Sequence, residues 1–201
     1  MATTTTKLNA LNTILSVVGE PPLNDLTGDA SKNADAVMAL NILDEISREV
    51  QSAGWHFNTE KDVPLIPDAS GQLVVQGNVV RIDCEYPESK TYDLVLRGST
   101  VYDRKNRTST FTATVKVTAV YLFDFEELPE CVKRFVTIRT ARIFQDRMIG
   151  EPNHHAFTSR DEMNAWVALK EFEMDTGDHS IFDNYDVFRV VDRPSVYNRV
   201  Q

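Results

Sequence analysis

Apolar residues recur along this chain at two different periods, and each change of period marks a change of element. Leu8, Leu11, Leu15 and Val18 fall at three- and four-residue steps and form one helical stripe. Thr3 to Thr6 offer N-caps, Gly19 suits a left-handed stop, and Pro21-Pro22 prevent continuation, so a helix is predicted over 6–18. The loop EPPLNDLTGD follows. A second helix is predicted from Ser31 to Ala53, where Val37, Leu40, Leu43, Ile46 and Val50 keep the rhythm and Gly54 is the stop. Ala36, Met38, Ala39 and Ile42 widen its apolar face, which implies cover on more than one side, in a bundle or a subunit contact.

From Trp55 the period becomes alternating. Short apolar runs at Val63–Ile66, Leu73–Val75, Val79–Cys84 and Tyr92–Leu96 are punctuated by prolines and glycines. The polar-turned stretch RGSTVYDRKNRTSTF predicts a strand pair. It leads into the clearest strand signal: Phe111, Ala113, Val115, Val117, Ala119, Tyr121 and Phe123 alternate with Thr112, Thr114, Lys116, Thr118, Val120 and Leu122. The second set reads as a solvated face, as expected of an antiparallel open sheet or barrel.

Helical spacing then returns. A third helix is expected near Pro129, a good first-turn residue, with Glu126, Glu127 and Glu130 at its positive end and Arg139, Arg142 and Arg147 toward its negative end. Gly150 and Pro152 end it. A fourth is expected to start at Ser159-Arg160-Asp161-Glu162, a capping-box pattern, and to stop at Gly177. The remaining segment holds aromatic residues without a sustained period. The pattern describes an α+β chain: residues 1–54 and 128–177 as a discontinuous helical bundle, 55–127 as an inserted antiparallel β module, and 178–201 as an extended C-terminal arm.

At 201 residues and 42% hydrophobic content the chain can bury a real core. Its formal net charge of −9 disfavours stable wrapping of DNA but permits a channel through which DNA passes without sticking. The N-terminus lacks the pattern of a secretory signal, and no apolar run is long enough to span a membrane, so synthesis in a cytoplasm is expected. Two cysteines, Cys84 and Cys131, make no disulfide scaffold and are expected to be reduced and buried.

Chemistry is sparse. His154-His155 lacks the further ligands a metal site needs, and no cofactor motif occurs; neither a metal nor a cofactor is expected. Carboxylate pairs, such as Glu126 with Glu127, Asp175 with Asp178 and Asp183 with Asp186, are numerous, but adjacency in sequence does not place two of them across a sugar cleft. Lys133, Arg134, Arg139, Arg142 and Arg147 make the third helix basic, while Asp161, Glu162, Glu171, Glu173 and Asp175 make the fourth acidic. The two helices are expected to pack together within or between subunits, and the five basic residues are candidate subunit or partner contacts. In the last segment Ile181, Phe182, Tyr185, Phe188 and Tyr197 are candidate anchors of a docking arm.

Several stretches, taken in order, resemble the tail tubular protein A family of short-tailed bacteriophages. They are LNTILSVVGEPPLNDL, REVQSAGWHFN, LRGSTVYDR, LPECVKRFVTIRTARIFQDR and the acidic last helix, covering most of residues 8–176. The resemblance implies a virion tail protein, assembled in the bacterial host cytoplasm as a dodecameric ring. Its partners would be the portal protein, tail tubular protein B (the nozzle) and a tail fibre or spike, with double-stranded DNA in transit through the ring and no membrane contact. The bundle and arm would face the portal and the β module the tail. The family has no catalytic motif to carry over. Because tail proteins meet the cell surface, the alternative is a glycan hydrolase acting on host polysaccharide, alone or as a secondary activity.

Overall fold

The structure is a computed structural model that describes residues 4–177, apart from positions 29, 86 and 151. Helix α1 spans Lys7–Ser16 and α2 spans Ala34–Ser52. Five strands follow: β1 (Thr59–Leu65), β2 (Val79–Asp83), β3 (Leu94–Arg97), β4 (Thr100–Asp103) and β5 (Val115–Tyr121). Helices α3 (Glu130–Met148) and α4 (Pro152–Gly177) complete the described chain. This is an α+β fold with antiparallel sheets that stay open rather than closing into a barrel.

The helices form where the caps and stripes allow. The Thr6 hydroxyl accepts the Asn9 N–H at 3.2 Å to start α1, and Asn33 does the same for Asp35 and Ala36 at α2. Gly54 ends α2 at φ +79°, a left-handed conformation in which a side chain would be strained, and a Cβ there would also lie 3.2 Å from Val120 and displace the Arg81 guanidinium. One buried cluster joins Leu11, Leu15, Leu43, Ile46, Phe135, Phe144 and Leu169 of the four helices. α3 is its centre, packing on each of the other three helices. Burial of Ala36, Ala39, Ile42, Leu43 and Ile46 rotates the α2 stripe from the predicted line, leaving Val37 exposed.

The wide strand expected over Phe111–Phe123 shortens to Val115–Tyr121. Phe111 instead gives its N–H to the Gly71 carbonyl at 2.7 Å and joins the second buried cluster, with Leu73, Ile82, Leu94, Val101, Val115 and Val117. Lys116 is solvated as expected, but Val120 on the same face is buried beneath Gly54. β5 is the middle of a three-stranded sheet, β1-β5-β2, and β3-β4 form a hairpin beside it. The run Leu73–Val75 is tied to β4 by an isolated bridge from Val74 to Thr100. The outer strand β1 carries Glu60, Lys61 and Asp62 around a bulge, with Asp62 at φ +57°, and then Pro64. Charge, bulge and a missing donor together discourage pairing along this edge.

α4 begins at Pro152, seven residues before the Ser-x-x-Glu pattern that predicted its start. Gly150 at φ +66° breaks from α3, and proline is well suited to a first turn. Ser159 and Glu162 therefore lie inside the helix, and Glu162 turns to α3 instead of capping.

Asp103 is a hidden brace of the β3-β4 hairpin. It is fully buried, and its carboxylate accepts N–H groups from Asp93 (3.1 Å) and Lys105 (2.9 Å) and the Asn106 amide (2.5 Å). Burial alone would raise its pKa, but the donors from Asp93, Asn106 and Lys105 outweigh it and hold the carboxyl below the usual range. Its folded value is depressed, so its contribution is present above the unfolded value, about 3.9, and is lost as pH falls through the folded one. Asp103→Asn is expected to cost about 2 kcal/mol at neutral pH. The variant should also lose less stability than the parent below pH ~4, as read by urea unfolding across pH. An unchanged acid limb would remove Asp103 from that role.

Candidate interaction surface

The basic residues singled out on α3 separate into two groups. Arg139 and Arg142 lie in the α3–α4 seam. Arg139 binds Glu49 of α2 at 2.8 Å and Glu162 of α4 at 3.4 Å. Arg142 binds Glu162 through Nε and Asp146 at 3.2 Å, and Asp146 in turn faces His155 Nδ1 at 2.9 Å. The hydrogen bond that Arg142 donates to Glu162, against the cost of burial, holds the Arg142 pKa above its ordinary value. With Glu162 only 14% exposed, this chain of charges is screened less than a surface pair and fixes α4 in register on α3. Lys133 is also internal. It is 1% exposed, donates to the Glu126 carbonyl at 2.9 Å, and lies 6.0 Å from the Phe125 ring.

Arg134 and Arg147 are exposed and make no ion pair among the described residues. Arg134 lies at the rim of a cleft of about 410 Å³ between α1 and α3. The acidic residues before α3 have a use that spacing did not suggest. Glu126 accepts the Lys7 N–H at 3.0 Å, and Glu130 accepts both the N–H (3.2 Å) and the hydroxyl of Thr5. They satisfy the free donors at the start of α1 as well as facing the positive end of their own helix. The Thr5 hydroxyl, followed by its N–H, outweighs partial burial and lowers the Glu130 pKa.

α4 is also held by aromatic contacts. Trp166 meets Trp55 edge-on at 5.7 Å and Phe135 at 5.2 Å. The Lys170 ammonium lies 4.4 Å from the Trp55 ring and 4.7 Å from Trp166, and Glu173 accepts the His56 N–H at 2.9 Å. These contacts carry the end of α4 to the turn that opens β1. A second tie between helices and sheet comes from two buried amides. Gln51 exchanges both hydrogen bonds with the Phe123 backbone (3.2 and 2.8 Å), and Asn58 donates to the carbonyls of Gln51 (2.9 Å) and Tyr121 (2.8 Å).

Both cysteines are free and half-buried. Burial, then the carboxylates of Asp83 and Glu88, push the Cys84 thiol up to about 11, and burial raises Cys131 too, so both stay protonated at neutral pH. The carboxylates Glu126 and Glu127 are engaged with the backbone N–H groups of Lys7 and Asp124. The side chain of His154 and the arm residues Ile181, Phe182, Tyr185, Phe188 and Tyr197 lie outside the described residues, as do Asp178, Asp183 and Asp186. No described helix is long and apolar enough to cross a membrane.

Among the described residues, the charges of the α3–α4 seam and the aromatic contacts of Trp55, Phe135 and Trp166 fix the helices relative to one another and to the turn before β1, which is the arrangement of a structural scaffold. Residues 8–179 match the family model described as tail tubular protein, and the chain belongs to that family. It is 27% identical over 167 residues to tail tubular protein A of Klebsiella phage KP34, a match that covers 82% of this chain and 86% of that protein. The protein is accordingly a structural component of a bacteriophage virion tail.

Proposed function

We propose that the protein is the adaptor that joins the portal to the tail nozzle, assembling in the host cytoplasm as a ring around the path of the ejected DNA. In this reading 1–54 with 128–177 act as one helical unit, 55–127 as an inserted β module, and 178–201 as the docking arm. The arm and the bundle meet the portal protein, the β module meets tail tubular protein B, and a fibre or spike attaches near the junction. The observation that carries the reading is the pinning of α4 to both α3 and the Trp55–His56 turn. It lets a load applied at the bundle pass to the β module without a loose hinge. The net charge of −9 suits a channel wall that does not retain DNA.

The arm anchors are Ile181, Phe182, Tyr185, Phe188 and Tyr197. Deleting residues 178–201 is expected to leave the melting transition of the remainder intact and to weaken portal binding at least about a hundredfold, the scale of losing several aromatic anchors. Binding to purified portal rings, followed by sedimentation, reads the loss. Undiminished binding would remove the arm from the docking role.

A further inference from the structure

The β3–β4 hairpin and the loop after it concentrate positive charge on an acidic chain. The protein has 21 lysines and arginines against 30 carboxylates. Lys90, Arg97, Arg104, Lys105 and Arg107 nonetheless fall between positions 90 and 107, with only Asp93 and Asp103 among them. Asp103 is buried and spent on the loop, and Asp93 lies 3.7 Å from Arg104. Arg97, Lys105 and Arg107 are exposed and make no ion pair among the described residues. The carboxylates before the hairpin are engaged elsewhere. Asp83 accepts the Cys84 N–H at 2.8 Å, Glu85 accepts the Thr118 hydroxyl at 2.9 Å and lies 3.9 Å from Lys61, and Glu88 lines the same crevice as Lys116.

The fold sets these cations on one side and limits their motion. Val101 and Asp103 are buried, so Thr100, Tyr102 and Arg104 alternate to the outer face of β4. The Arg97 guanidinium lies 3.4 Å above the Tyr102 ring, which holds its plane and leaves its N–H edge open. From Thr100, opposite Arg97, to Arg104 the strand direction covers about 13 Å, enough to face several phosphates of a duplex. At the far end the Lys105 ammonium donates to the Lys90 carbonyl, and Asn106 donates to the Thr91 carbonyl at 3.2 Å. No large apolar side chain from 90 to 107 is exposed.

A protein interface has an apolar centre, which this face lacks. Arginine and lysine beside the hydroxyls of Ser99 and Thr100 and the Asn106 amide are instead the donors that contact a phosphate backbone. We infer that the outer face of the β3–β4 hairpin, with the loop at 104–107, touches the phosphates of a nucleic-acid duplex. The acidic remainder of the chain keeps the contact weak and confined to this face, so it guides a passing duplex without holding it. The inference rests on the channel reading above for its setting, and adds that this face of the β module is turned to the axis.

The test titrates full-length protein into a labelled duplex of about 30 base pairs, read by fluorescence anisotropy at two salt concentrations. Three unpaired cations, at a log–log slope of about −0.9 per phosphate, predict an affinity about fortyfold lower at ~200 mM than at ~50 mM salt. Lys105→Gln combined with Arg107→Asn, asparagine being suited to the φ of +54° at 107, is expected to keep the parental melting transition. It should weaken binding at the lower salt by roughly tenfold or more and cut the slope to about a third. Lys32→Gln combined with Arg160→Gln removes the same charge from exposed positions on the helices and should leave affinity within about twofold. A parent that does not bind the duplex at the lower salt, or a control pair that loses as much as the hairpin pair, would overturn the inference. Unchanged DNA binding by the hairpin pair, with lost binding to purified nozzle protein, would give the face to an acidic protein instead. Rings of the hairpin pair should still form on the portal; absence of a ring from the parent would overturn the adaptor reading and leave the measured DNA contact standing.

Discussion

Phe135→Ala is expected to destabilise the protein by about 3–5 kcal/mol, the cost of truncating a buried aromatic side chain. Phe135 is 2% exposed and sits where α3 meets both the bundle core and the Trp166 ring. The cavity would lie directly beneath the seam held by Arg139, Arg142 and Glu162. α4 would then rest on Ala165, Leu169 and the Trp55–Trp166 contact together with those ion pairs, and partly exposed pairs contribute only modestly. Because Trp55 and Trp166 are the two tryptophans of the chain and touch each other, intrinsic fluorescence reports on α4 docking directly. Urea unfolding followed by that signal should show the loss. A change below about 1 kcal/mol would mean that α4 is held mainly by its charges.

Asn58→Ala is expected to cost about 3 kcal/mol, although it removes little apolar surface. Asn58 is 1% exposed, and its amide donates to the Gln51 and Tyr121 carbonyls while its oxygen accepts the Trp55 N–H at 2.8 Å. Truncation strands three main-chain groups at the place where the helices meet the sheet. Asn58→Asp keeps the acceptor but loses both donations, and it should be no more stable than Asn58→Ala. Thermal unfolding of the two variants checks this; an aspartate variant close to the parent would contradict the assignment of the donors.

The helical stripes and their stops were legible because they depend on neighbours within a few residues. Thr6 caps α1, Gly54 ends α2, and α3 begins directly after Pro129. The complementary charge of the third and fourth helices was also readable, and Arg139, Arg142 and Glu162 realise it within one chain. The start of α4 was not, because Ser159 and Glu162 satisfy a capping pattern locally while Glu162 has a stronger use across the seam. The ties that join helices to sheet were equally hidden. A lone Gln51 or Asn58 looks like a surface residue until folding brings Phe123 and Tyr121 beside it, and no local period marks that distance. Lys133 reads as one more cation on a basic helix, yet it is enclosed because the Glu126 carbonyl lies within its reach.

The adaptor assignment is tested most directly by mixing the purified protein with portal rings and imaging the product by electron microscopy. A continuous ring of this protein seated on the portal is the predicted result. Portal rings that stay bare, with the chain remaining free in solution, would contradict it.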